Sequence, residues 1–322
     1  MRRASRRGLL AFIAGGLLQA ALFLSPLAAQ EEETPVFRSD TRLVVLHCTV
    51  LDRKGNLVTD LKKDAFTVFE NGAAQPLTLF KREDIPVSMG VIIDNSGSMR
   101  NKRQKVNAAA VKLVKASNPE DEVFIVNFND EAFLDQQMTG DRDELEKALS
   151  KIDTRGGTAM RDAVRMSIDY LLETAKRDKK VLLVISDGED NNSQGTLEEL
   201  VRAAQRSEVL IYAIGLLSEE ERRSARRAKR ELDALTDATG GQSYYPKEVD
   251  EVDRIAEQVA HDIRNQYVLG YHPTNQALDG SFRQVRVQVK GPGRPQARTR
   301  SGYYATDGGS RAMTQQPKPA NE

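Results

Sequence analysis

The sequence predicts an α/β protein in which a doubly wound, mainly parallel sheet is inserted between an N-terminal and a C-terminal β segment. Three observations predict it. Between residues 86 and 265, strand-like and helix-like stretches alternate strictly, the pattern of a parallel sheet covered by helices on both faces. The strand-like stretches there include continuous apolar runs, such as 87–93 and 181–186, as strands buried on both faces require. Outside that region, at 36–85 and 266–305, the pattern changes to short alternating strands separated by Gly-containing turns.

The chain has 322 residues, enough for one large or two modest domains with their own cores. Its 47 Lys plus Arg balance 47 Asp plus Glu, so net charge gives no argument for binding nucleic acid or a membrane surface. Residues 1–29 have the three parts of an export signal. Four arginines lie within the first seven residues, 8–27 is apolar and uncharged, and Ala28 and Ala29 precede Gln30. A run of about 20 apolar residues could just span a bilayer, but Pro26 and the small residues favour cleavage over an uncleaved anchor. Cleavage near Ala29 leaves 43 basic against 47 acidic residues, with residues 30–35 as an acidic linker. Ser5-Arg6-Arg7-Gly8-Leu9-Leu10 resembles a twin-arginine motif, and both that route and ordinary secretion stay open. The expected location is therefore exported, either periplasmic or secreted, with membrane contact only if the signal is retained. Cys48 is the sole cysteine, so an internal disulfide is impossible. It alternates with Val44, Leu46 and Val50 and is expected to be a small buried hydrophobe.

The first β segment opens with a strand over 42–51 and a turn at Lys54-Gly55-Asn56. Residues 66–70 and 76–80 flank Asn71-Gly72, two residues that tolerate positive φ, and are expected to pair as a hairpin. After the strand at 87–93 comes a helix over 102–116, with Val106, Ala109, Ala110, Leu113 and Val114 at helical spacing. A strand at 122–128 and helices at 141–152 and 159–175 follow. Next come a strand at 181–186, a helix at 197–204 and a strand at 209–215. A long helix, a short strand at 242–245 and a helix over 249–265 complete the α/β region. Glu219 and Glu220 stand at helical pairing distance from Arg223, so that stretch reads as a solvated helix face. The closing segment shows strands at 266–271, at 282–289 with Val285, Val287 and Val289 on one side, and at 298–304. Neither β segment buries much surface alone. One small β-sandwich built from both is expected, with two independent appendages as the alternative. Residues 306–322 are Gly, Pro and polar, and are expected to form a disordered tail.

Five residues gather a second kind of signal. Asp94-Asn95-Ser96-Gly97-Ser98 follows the first buried strand, Gly156-Gly157-Thr158 precedes a helix, and Ser186-Asp187-Gly188 follows another core strand. In an open parallel sheet the crevice lies at the carboxyl ends of the strands, so three loops bearing short oxygen side chains converge there. Two serines, a threonine and two aspartates supply only oxygen, which selects Mg²⁺, Mn²⁺ or Ca²⁺ over zinc or copper. Short side chains on tight turns suit the compact octahedron of Mg²⁺ best.

These pieces, in this order, resemble the metal-ion-dependent adhesion site of von Willebrand factor type A domains, a Rossmann-like fold, over roughly residues 86–259. The resemblance implies that Ser96 and Ser98 bind the metal directly, that Thr158 joins when ligand is engaged, and that Asp94 and Asp187 act largely through water. It also implies an Asp or Glu carboxylate of a partner protein as the sixth ligand. Asn56-Leu57-Val58-Thr59-Asp60-Leu61, Tyr267-Val268-Leu269-Gly270-Tyr271 and Arg300-Ser301-Gly302-Tyr303 further resemble the flanking segments of exported bacterial VWFA-related proteins. His47, His261 and His272 all lie outside the metal loops, so no base stands beside the serines and an enzyme is not expected. The expected function is metal-dependent capture of a partner carboxylate, with no nucleic acid. The alternative is a structural or assembly factor of the cell envelope, in which the metal mainly stabilises the domain.

Overall fold

The computed structural model describes residues 42–82, 84–150, 154–217 and 222–306. The export signal, the acidic linker, the Glu219 and Glu220 pairings and residues 307–322 of the tail lie outside the described residues. The chain runs β1 (Val44–Leu51), β2 (Phe66–Glu70), β3 (Ala73–Gln75), β4 (Leu77–Arg82), β5 (Val87–Asp94), α1 (Arg103–Ala116), β6 (Glu122–Phe128), β7 (Ala132–Thr139) and α2 (Arg142–Ser150). It continues through α3 (Met160–Thr174), β8 (Lys179–Ser186), α4 (Leu197–Ser207), β9 (Leu210–Gly215), α5 (Arg222–Thr239), β10 (Ser243–Tyr244) and α6 (Val252–Arg264). Four strands close it: β11 (Tyr267–Tyr271), β12 (Phe282–Val289), β13 (Gln296–Arg298) and β14 (Gly302–Tyr304).

The central sheet has the order β10-β9-β8-β5-β6-β7. Every pairing is parallel except β6 with β7. Alternate residues of β5 feed two separate cores, which is why the strand reads as an unbroken apolar run. Met89, Val91 and Ile93 face α1, α2 and α6, while Ile92 faces α3, α4 and α5. Gly90 lies where any side chain would collide: an added Cβ would stand 2.3 Å from the Phe124 ring and 2.5 Å from Leu182. Local signals also place the helix ends. Thr196 and Glu199 form a reciprocal capping box that starts α4.

Strands from both terminal segments interleave in two four-stranded sheets, β13-β1-β11-β4 and β14-β12-β2-β3. Their apolar residues, among them Leu46, Cys48, Val68, Leu269 and Val287, form one core. Within it Glu70 Oε2 accepts hydrogen bonds from Tyr271 Oη at 2.8 Å and Tyr303 Oη at 2.7 Å, tying the two sheets together. The sandwich also bonds to the α/β part. Gln266 donates to Thr49 Oγ1 at 3.0 Å and to Tyr212 Oη at 3.2 Å, all three being buried.

Three expectations change in detail. Asn71 (φ 47°) and Gly72 (φ 84°) do form a two-residue turn, but the partner of β2 is the three-residue β3. The chain then passes Pro76, and β4 pairs with β11 in the other sheet. Proline lacks the N–H that continued pairing with β2 would use. The expected last strand is two short ones: β13 pairs with β1 and β14 with β12, with Arg300 at the crossing. β7 carries no apolar alternation to announce it. It is a largely exposed antiparallel edge strand with register shifts against β6.

Candidate metal centre

Connections from β5 and β8, neighbours in the sheet, run in opposite directions: β5 leads toward β6 and β8 toward β9. That is the switch point at which an open parallel sheet leaves a crevice. Asp94 is the last residue of β5, and Asp187 directly follows β8. The two predicted carboxylates therefore enter one cleft from adjacent strand ends.

Backbone hydrogen bonds bring in the remaining loops. Asn95 N donates to Phe128 O at 2.7 Å, Arg155 N to Asn95 O at 3.0 Å, and Gly97 N to Gly156 O at 3.3 Å. Gly156 holds φ 76°, a backbone conformation that favours glycine, and a Cβ on Gly157 would stand 2.9 Å from Asn191 Oδ1. Thr158 is fixed through its main chain. Its N–H donates to Asn191 Oδ1 at 3.0 Å, and its carbonyl accepts from Asn191 N and Asn192 N. Its Oγ1 lies 3.8 Å from the position a Cβ would take on Gly188, which places the hydroxyl beside the Asp187 turn.

The side chains form a linked chain of oxygens. Ser96 Oγ stands 3.1 Å from Ser98 Oγ, and Ser98 Oγ donates to Asp187 Oδ1 at 2.7 Å. Octahedral Mg²⁺ with bonds of 2.0–2.1 Å separates adjacent ligand oxygens by about 2.9 Å, so these spacings suit neighbouring corners of such a shell. Asp94 is fully buried, with Oδ1 accepting from Ser96 N at 2.8 Å and Oδ2 from Ser186 Oγ at 2.6 Å. Both oxygens being engaged, Asp94 contributes its charge from behind the hydroxyls. Burial raises its carboxyl above the usual range and the nearby Asp187 charge raises it further, while the Ser186 and Ser96 hydrogen bonds oppose this. An uncompensated buried carboxylate is what a divalent ion relieves. Ser98 is exposed, whereas Ser96, Thr158 and Asp187 are buried, so solvent reaches the site at Ser98. The residues fit a hard divalent cation. When bound, such an ion supplies a Lewis-acidic position for an oxygen ligand from outside.

Three participants lie outside the five ligands expected from sequence. Ser186 orients Asp94. Lys102 Nζ donates to Asp187 Oδ2 at 2.5 Å. Arg103, buried beneath the site, donates to Asn127 Oδ1 at 2.5 Å and feels the charge of Asp94. Burial pushes its guanidinium down to about 10. None of the three histidines enters the cleft: His47 lines the seam with the β-sandwich, His261 is exposed on α6, and His272 Nδ1 lies 3.1 Å from Arg42 O.

The family model described as von Willebrand factor type A domain matches residues 89–189. Mouse inter alpha-trypsin inhibitor heavy chain 4 is 29% identical over 154 residues, covering 42% of this chain and 16% of the relative. This chain thus spans about a sixth of that relative's length. The structure of a von Willebrand factor type A protein from Catenulispora acidiphila shares 15% identity, with a TM-score of 0.48, over 81% of this chain and 73% of that one. Proximal thread matrix protein 1 from the mussel byssus, solved with a zinc-occupied MIDAS motif, shares 18% identity, with a TM-score of 0.47, over 60% and 49%. The family match spans β5 to the Asp187 turn, the part of the sheet that supplies all five predicted site residues, and this chain carries a von Willebrand factor type A domain.

Proposed function

We propose that the chain is an exported, non-enzymatic binding module that holds a divalent ion, Mg²⁺ by preference, at Asp94, Ser96, Ser98, Thr158 and Asp187. The ion is offered to an Asp or Glu carboxylate of a partner protein. One observation carries the reading: the donors nearest solvent are hydroxyls, with Ser98 exposed and Ser96 behind it, while the fully buried Asp94 has both oxygens engaged by its neighbours. A cation held mainly through neutral oxygens keeps most of its charge and favours an anionic ligand. Export is supported by the N-terminal sequence pattern. Among the described residues, no helix is long and apolar enough to cross a membrane.

The test is capture from a cell-envelope extract by wild type and Ser98→Ala, in Mg²⁺ and in chelator. Capture by wild type in Mg²⁺, lost with either change while circular dichroism stays native, supports the reading. Capture undiminished in chelator refutes it. Unfolding in chelator would favour the structural alternative, for which the main-chain bonds lacing the three loops together are the supporting observation.

A further inference from the structure

Lys102 already holds part of the site that the divalent ion is proposed to use. Its side chain is 26% exposed and its Nζ lies 2.5 Å from Asp187 Oδ2, while the Asp187 side chain is 1% exposed. The other oxygen, Asp187 Oδ1, accepts the Ser98 hydroxyl. One buried carboxylate is thus divided between a tethered cation and a serine expected to ligate the metal. Behind them the buried Arg103 acts on Asp94.

We propose that Lys102 is a built-in competitor of the divalent ion, which lowers the metal affinity of the site by neutralising Asp187. The inference rests on the metal reading above and goes beyond it, because nothing in the five-residue constellation requires a lysine there. Ser98 and Lys102 bond to opposite oxygens of Asp187, so an ion held at Ser98 would share that carboxylate with the lysine. The two positive charges would repel through the buried Asp187 side chain, where the interaction is stronger than in bulk solvent. The lysine stem is long and its head partly solvated, so it can release Asp187 toward water without breaking the fold. Its second neighbour, Leu216 O at 3.5 Å, is a backbone carbonyl at the rim of the same cleft.

The test is Mn²⁺ titration of the full chain by electron paramagnetic resonance, with wild type, Lys102→Gln, Lys102→Met and Lys102→Arg. Both neutral variants are expected to bind Mn²⁺ at least tenfold more tightly than wild type. Lys102→Arg, which keeps the charge, should stay within about threefold. Two neutral variants guard against one that folds poorly, and far-ultraviolet circular dichroism identifies it. Equal or weaker Mn²⁺ binding by folded neutral variants overturns the role of Lys102 and leaves the metal site standing. No Mn²⁺ uptake by any folded form overturns the metal reading and this inference together.

Discussion

Replacing Asp94 with Asn separates what the carboxylate does for folding from what it does for a metal. The side chain is fully buried, and its oxygens meet Ser96 N at 2.8 Å and Ser186 Oγ at 2.6 Å. An amide of the same shape keeps the first contact through its oxygen and can donate to the Ser186 hydroxyl with its nitrogen. It removes a charge buried near Asp187. In chelator, Asp94→Asn should be about 1–2 kcal/mol more stable than wild type, the gain expected when a site held in readiness for a ligand loses its strain. Wild type should gain about 2.7 kcal/mol at a metal concentration one hundred times its dissociation constant. The variant should gain almost nothing, so the order of stability reverses. Urea unfolding followed by circular dichroism, in chelator and in saturating Mg²⁺, reads both arms. A variant less stable than wild type in chelator would mean that Lys102, Arg103 and the two donors already compensate the charge, and the reasoning fails. Equal stabilisation of both proteins by Mg²⁺ would refute the assignment of Asp94.

Further expectations concern the scaffold. Lys179 is buried at the start of β8, its ammonium donating to Ile263 O, and burial holds it down to about 7. Between pH 7 and 10 the unfolded chain keeps a proton that the folded chain has shed, so wild type becomes more stable as pH rises. Lys179→Met lacks that rise. The stability difference should move toward wild type by up to about 1.4 kcal/mol per pH unit in this window, and parallel urea-derived pH profiles would contradict it. Gly90→Ala should cost about 2–3 kcal/mol or more by forcing Phe124 and Leu182 aside; an unchanged urea midpoint would show that β5 is less tightly packed than described. Tyr271→Phe and Tyr303→Phe each remove a donor from Glu70 and should cost about 1–2 kcal/mol. Because they share one acceptor atom, their double mutant should depart from additivity. Strict additivity would argue against the shared contact.

What the sequence made legible follows from where physics leaves a periodic mark. β5, β6, β8 and β9 are buried on both faces, so their apolar runs marked them within two residues of their ends. That Asp94, Ser96, Ser98, Thr158 and Asp187 come together in one cleft was legible because each lies beside a strand end or a helix start, where loop position follows from the alternation. β7 was missed because an edge strand packs little and its residues, Asp135, Gln136 and Gln137 among them, carry no buried alternation. β3 was missed and β4 was given the wrong partner, because three residues carry too short a pattern to mark a strand and the sheet that receives β4 is set by the distant β11. Lys102, Ser186 and Arg103 escaped because a motif names ligands, whereas these residues act on the ligands across long sequence separations. The Lys102 contact spans 85 residues and the Ser186 contact 92.

The central claim is that a single divalent ion binds at the carboxyl end of β5 and β8. Crystals of the full chain soaked in Mn²⁺ and measured for anomalous scattering test it most directly. One strong peak is expected within bonding distance of Ser96 Oγ and Ser98 Oγ, beside Asp187 and reached by the Thr158 loop. A peak confined to exposed carboxylates elsewhere, or none at the cleft, would contradict it.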